Sequence, residues 1–133
     1  MKRSTRWTAL FFVLGALVFA EAVQAQAKAS FTVDAAKAAA GEKLFTAQMC
    51  AACHSIGKGK LVGPDLAGLL ERRELAWVQK WLTQTNEMLA TDSIAKRLFK
   101  ESANIAMPQP TLKPEEVEAL LHYMVKAGET TKK

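Results

Sequence analysis

Cysteine is scarce: the 133 residues hold two, Cys50 and Cys53. The several disulfide pairs that ordinarily stiffen a small secreted domain are therefore excluded. A structural zinc site wants four ligands, and two Cys with two His, His54 and His122, leave no margin for one. The longest uncharged apolar run, Trp7 to Ala20, is 14 residues, short of the roughly 20 that a helix needs to cross a bilayer. Charge of one sign is not concentrated: 18 Lys and Arg stand against 13 Asp and Glu, for a net +5. The basic residues are scattered, so a nucleic-acid partner, which calls for a basic stripe, is not expected. Alternating strand patterns and internal repeats are also missing, and the expected class is all-α.

What is present begins with targeting chemistry. Lys2, Arg3 and Arg6 form a basic head, the apolar run follows, and Ala25-Gln26-Ala27 supplies a small-residue exit. This order is that of a secretory signal peptide over residues 1–27. Cleavage is expected after Ala27, with Ala25 as the competing point. A retained leader, acting as a membrane tether, is the alternative. Removal leaves residues 28–133, a single domain of 106 residues with a thin core. The leader takes three basic residues and one acid with it, so the remainder carries +3. The expected location is periplasmic, with membrane contact only if the leader stays.

Residues 28–33 read as an unstructured lead-in. Asp34 can then cap a helix running to about Gln48, with Leu44 and Phe45 as its large apolar residues. Gly41 lies four before Phe45, so one face has a flat spot beside an aromatic ring, which implies close packing. Four glycines and Pro64 between Ser55 and Gly68 predict a loop. Trp77, Val78, Trp81 and Leu82 form an apolar stripe at helical spacing. A short polar link follows, and Thr91 or Asp92 caps a helix with Ile94, Ala95, Leu98 and Phe99 inward. Pro108 and Pro110 prevent helix around Gln109. The last helix starts at Pro114, with Glu115 and Glu116 in its first turn, and Gly128 is expected to end it. Its cap is irregular: Lys113 stands where Ser, Thr or Asp is usual, and Thr111 is an alternative.

Cys50-Ala51-Ala52-Cys53-His54 is the C-x-x-C-H attachment signature of c-type haem. Each thiol can add to one vinyl group of the ring, and the spacing lets the two sulfurs span both vinyls while His54 falls beneath the iron. A thiol–disulfide motif of the thioredoxin kind would need a βαβ setting, which this strand-poor chain does not offer. One covalently held haem c, with its iron, is thus the expected cofactor. Candidates for the iron's other axial position are Met49, Met88, Met107, Met124 and His122. Met49 is too near the attachment site to cross the ring, and Met124 and His122 fit packing or surface roles on the last helix. Met88, in the polar link, and Met107, in a proline-stiffened segment, stay open.

From about Lys37 to Val125 the chain resembles a class I cytochrome c. The likeness rests on Gly41 and Phe45, the Cys50–His54 motif, Gly63-Pro64-Asp65-Leu66, Met107-Pro108 and Leu120-Leu121-x-Tyr123. The resemblance implies four to five helices packed around one covalently bound haem, the first and last crossing at the Gly41/aromatic contact. It implies His54 and Met107 as axial ligands, and the Pro64 carbonyl as acceptor of the other His54 ring proton. Trp81 or Arg73 could reach a haem propionate. The segment Gly63–Gly68 with Glu71-Arg72-Arg73 and Trp77-x-x-x-Trp81-Leu82 is also similar to cytochrome domains associated with nitrous oxide reductase.

These features together lead us to expect a one-electron carrier and not an enzyme. A neutral thioether favours ferrous iron, giving a fairly high potential, and filled axial positions leave no small-molecule substrate site. Expected partners are redox proteins: a periplasmic reductase, a terminal oxidase or a quinol-oxidising complex, with Lys58 and Lys60 steering an acidic face. A membrane-tethered relay subunit of an oxidase or reductase complex is the alternative. A five-coordinate haem enzyme or gas sensor is a more distant one.

Overall fold

In the computed structural model, residues 31–131 are described, and the domain considered below starts at Val33. The leader expected over residues 1–27 lies outside the described residues. Six α-helices follow in order, and no strand occurs among the described residues. They are α1 (Ala35–Ala47), α2 (Leu69–Arg72), α3 (Leu75–Thr83), α4 (Thr85–Thr91), α5 (Ser93–Glu101) and α6 (Pro114–Thr130), with a 3-10 turn at Cys50–Ala52.

The long helices α1 and α6 make the frame. Asp34 starts α1 by accepting the Lys37 N–H at 2.9 Å, which satisfies one of the donors that a helix start leaves open. Its own N–H is taken by Nδ1 of His122 on α6, at 3.0 Å. Expected to fill a packing or surface role, His122 is only 6% exposed and joins the two helices through this bond. Ala38, Gly41 and Phe45 form the buried face of α1. At Gly41 the backbone of α6 passes so close that a Cβ would lie 2.0 Å from the Ala119 carbonyl oxygen. Beside this crossing the Phe45 and Tyr123 rings sit 5.3 Å apart, tilted at 56°, a pairing that adds about 0.5–1.5 kcal/mol beyond the area it buries.

Helix α6 buries Val117, Leu120, Leu121, Met124 and Gly128, a three-and-four spacing that lays one stripe toward the core. It begins without a capping side chain at Lys113 or Thr111. Instead the Glu116 carboxylate reaches back to accept the Lys113 N–H at 2.7 Å, half of a capping box. Gly128 does not end the helix, which continues to Thr130. Its missing side chain leaves room for the backbone of Ala67 and Gly68, which a Cβ would approach to 3.2 Å.

The polar link expected after α3 is itself helix α4. Thr85 is fully buried and gives its hydroxyl proton to the Trp81 carbonyl at 2.6 Å. Met88, one turn later, is 2% exposed. Asp92, and not Thr91, caps α5 by accepting the Ala95 N–H at 2.8 Å. The same carboxylate also accepts from the Trp77 indole at 3.3 Å, which ties α5 to α3.

Candidate haem site

Between α1 and the loop that follows, the chain turns sharply: Met49 takes a left-handed conformation, φ 57°. The 3-10 turn then brings the His54 and Cys53 N–H groups to the Cys50 carbonyl, at 2.9 and 3.2 Å. This places Cys50, Cys53 and His54 on the wall of one cavity of about 450 Å³, within the roughly 300–1,000 Å³ of cofactor sites. Phe45, Leu66, Leu82, Phe99, Leu120 and Met124 supply apolar wall, and Met107 lines the same space.

Backbone pairing fixes His54 from both sides in sequence. The Gly63 N–H donates to the Cys53 carbonyl at 2.8 Å, and the Leu66 N–H to the Ser55 carbonyl at 2.9 Å. Between these two bonds, Nδ1 of His54 lies 2.8 Å from the Pro64 carbonyl oxygen. A carbonyl only accepts, so Nδ1 carries a proton and Nε2 is the nitrogen left to face a metal. A Cβ on Gly63 would come within 2.3 Å of the His54 ring, so position 63 tolerates no side chain while the imidazole holds this place.

Asp65 organises the loop. Its Oδ1 accepts the N–H groups of Gly57 and Ala67, each at 2.8 Å, and its Oδ2 accepts the Gly59 N–H at 2.6 Å and the Ser55 hydroxyl at 3.1 Å. Partial burial pushes the carboxyl upward, but the bonds from Gly57, Ala67, Gly59 and Ser55 outweigh it and bring it down to about 2. Arg72 closes the other side: its guanidinium donates to the Asp65 carbonyl at 2.7 Å and to the Ala67 carbonyl. Nothing in the local sequence pattern signals these contacts, which depend on the folded loop.

The far part of the wall comes from α3 and the proline segment. The Trp77 and Trp81 rings stack at 5.5 Å, 9° from parallel, with the Arg73 guanidinium 5.7 Å from the Trp77 ring centre. Arg73 lines the cavity, where a carboxylate-bearing ligand could use its charge. Trp81 donates its indole N–H to the Met107 sulfur at 3.1 Å. Of the other methionines, Met88 does not line the cavity and neither does His122, whereas Met49 is 72% exposed beside Cys50.

Two thiols, an imidazole, a thioether and a guanidinium around apolar walls fit a flat iron porphyrin. Soft and borderline donors suit iron in a porphyrin. Burial raises the Cys50 thiol above its ordinary value, opposite to the lowered thiol of an exchange motif. No cluster of three or more metal-binding His, Cys, Asp or Glu occurs among the described residues. The sequence profile of the family described as "Cytochrome c" matches residues 38–128.

The chain belongs to the cytochrome c family. Its fold agrees with solved members. A cytochrome c from Rhodothermus marinus is 29% identical, with a TM-score of 0.68 over 74% of this chain and 83% of that one. The cytochrome c domain of the pp3183 protein from Pseudomonas putida is 34% identical, with a TM-score of 0.57 over 70% of this chain and 89% of that one. An engineered R. marinus cytochrome c bound to a carbene intermediate is 28% identical, with a TM-score of 0.64, covering 76% and 85%. No curated protein matches significantly. As a class I cytochrome c the protein binds haem c covalently, with its iron, and Cys50 and Cys53 fit the attachment motif. Haem c, once bound, supplies an iron that gains and loses one electron.

Proposed function

We propose that this cytochrome c is an exported, periplasmic one-electron carrier in which His54 and Met107 are the axial ligands. The observation that carries the reading is that both side chains line the cavity that Cys50 and Cys53 also face, each oriented by a hydrogen bond. The Pro64 carbonyl accepts the Nδ1–H of His54, leaving Nε2 to bind metal and making the ring a better donor. Trp81 holds the Met107 sulfur. Apolar side chains around the cavity keep water from the site, and a thioether ligand favours the reduced state.

The composition of the leader supports export, and the partners that suit such a carrier are a periplasmic reductase, a terminal oxidase or a quinol-oxidising complex. Kinship with domains associated with nitrous oxide reductase would select the first of these. Lys58 is exposed on the loop after His54 and is suited to steering an acidic partner. Lys60 already donates to the Glu101 carbonyl.

Carbon monoxide tests the coordination. Ferrous wild-type protein at neutral pH is expected to refuse the gas, and the Met107→Ala variant to take it up. Ready binding by the wild type would replace the carrier with an open-site haem enzyme or sensor.

A further inference from the structure

Pro64 and Asp65 share a peptide unit, and the oxygen of that unit is the acceptor facing His54. What fixes the plane of this peptide therefore fixes the hydrogen bond to the imidazole. Pro64 has a ring-locked φ, but its ψ and the φ of Asp65 are free to turn the carbonyl. Both ends of Asp65 are pinned. Its side chain grips Gly57, Gly59, Ser55 and Ala67, and its carbonyl accepts from Arg72. The Ala67 bond, from a carboxylate to the N–H two residues on, is an Asx turn that sets the local backbone direct from the side chain.

We propose that Asp65 is a positioning residue for His54: its carboxylate clamps the Pro64 carbonyl onto the imidazole Nδ1–H and so sets the donor strength of the ring toward iron. The proposal rests on His54 being an axial ligand. A carbonyl held on Nδ1 gives the ring more anionic character, strengthens its bond to metal and favours the ferric state. Release of the clamp weakens the bond and raises the potential.

Removing a carboxylate also raises the potential through lost charge alone, so the test must separate the two causes. Asp65→Asn and Asp65→Ala are equally neutral, but they differ in geometry. Asn keeps an oxygen for Gly57 and Ala67 and loses the acceptor for Gly59 and Ser55, whereas Ala loses every side-chain bond. Ser55→Ala keeps the charge and removes one bond to Asp65 together with the hydroxyl's contact to the Gly59 carbonyl, which covers the case in which Asp65→Ala fails to assemble.

The haem-loaded proteins are prepared with Met107 present, for redox titration, and with Met107→Ala, so that resonance Raman reads the iron–imidazole stretch of the ferrous form. The expected result is a downward shift of the stretch that is small in Ser55→Ala, larger in Asp65→Asn and largest in Asp65→Ala. The potential of the Ala variant should stand above that of the Asn variant. An unchanged stretch in all three, or equal potentials for Asn and Ala, overturns the clamp and leaves charge as the cause. Absence of an iron–imidazole band in Met107→Ala itself overturns the paired His54 and Met107 ligation on which the proposal rests, a separate failure.

Discussion

Replacing Gly41 by alanine puts a methyl group at the α1–α6 crossing, where the Ala119 carbonyl oxygen is 2.0 Å away, its carbon 2.5 Å and Tyr123 Cβ 2.9 Å. Carbon and oxygen rest in contact at about 3.3 Å, so the helices must separate by roughly 1 Å. The obstructing atoms are backbone, and no side-chain rotation can relieve them. A gap of that size forfeits about a quarter to a half of each dispersion contact along the seam and loosens the Phe45–Tyr123 pair. Overpacking costs about 1–3 kcal/mol, and the backbone clash puts Gly41→Ala at the upper end. Helix propensity returns about 1 kcal/mol, leaving a net loss of roughly 2 kcal/mol. For a domain of this size that lowers the melting temperature by about 8–16 °C. Thermal unfolding of the haem-loaded protein, followed by far-ultraviolet circular dichroism, reads the shift. Ala40→Gly, on the exposed side of α1, supplies the control and should cost only the propensity term of about 1 kcal/mol. A Gly41→Ala protein as stable as wild type would refute the close crossing.

Trp81→Phe keeps an aromatic ring against Trp77 but removes the donor to the Met107 sulfur. The sulfur becomes a better ligand for ferric iron, and the midpoint potential falls. A neutral hydrogen bond is worth about 1 kcal/mol net, so the fall stays below about 59 mV, the tenfold step for one electron; a rise would contradict the assignment. Asp65 ionises near about 2 in the fold, against an ordinary 3.8. Its stabilising effect is therefore complete above about pH 4 and disappears as pH falls toward 2. Denaturant titrations should show wild type more stable than Asp65→Asn at neutral pH and the gap closing between pH 4 and 2; a gap independent of pH would count against the carboxylate's role. Lys58→Glu should slow oxidation of the ferrous protein by ferricyanide at low ionic strength and leave it unchanged at high salt. Equal rates in both salts would dismiss steering by this residue.

The helices that could be read from sequence are those whose ends carry a local signal. Asp34 and Asp92 cap α1 and α5, and Pro114 opens α6. Helix α4 escaped because it is seven residues long and one of its two buried positions, Thr85, is polar. That residue is buried only because its hydroxyl reaches the Trp81 carbonyl, a bond that needs α3 already in place. Gly128 reads as a terminator from its residue type, yet its role is set by a loop some 60 residues earlier that packs against it. At the site, the attachment motif is legible because its chemistry is local. The contacts of Trp81 with Met107, and of Asp65 with Gly57 and Gly59, span 26, 8 and 6 residues. They follow from tertiary and loop geometry, and no periodicity announces them. For the two side chains expected near a propionate, the fold gives the Trp81 indole N–H a partner in the Met107 sulfur and sets Arg73 on the cavity wall.

The most direct test is the ferric absorption spectrum of the haem-loaded protein at neutral pH, scanned for the weak sulfur-to-iron band near the red edge. Coordination by His54 and Met107 predicts a band that is present in wild type, retained in Met88→Leu, and lost in Met107→Ala. A spectrum without the band in wild type, or one that survives loss of Met107, would contradict it.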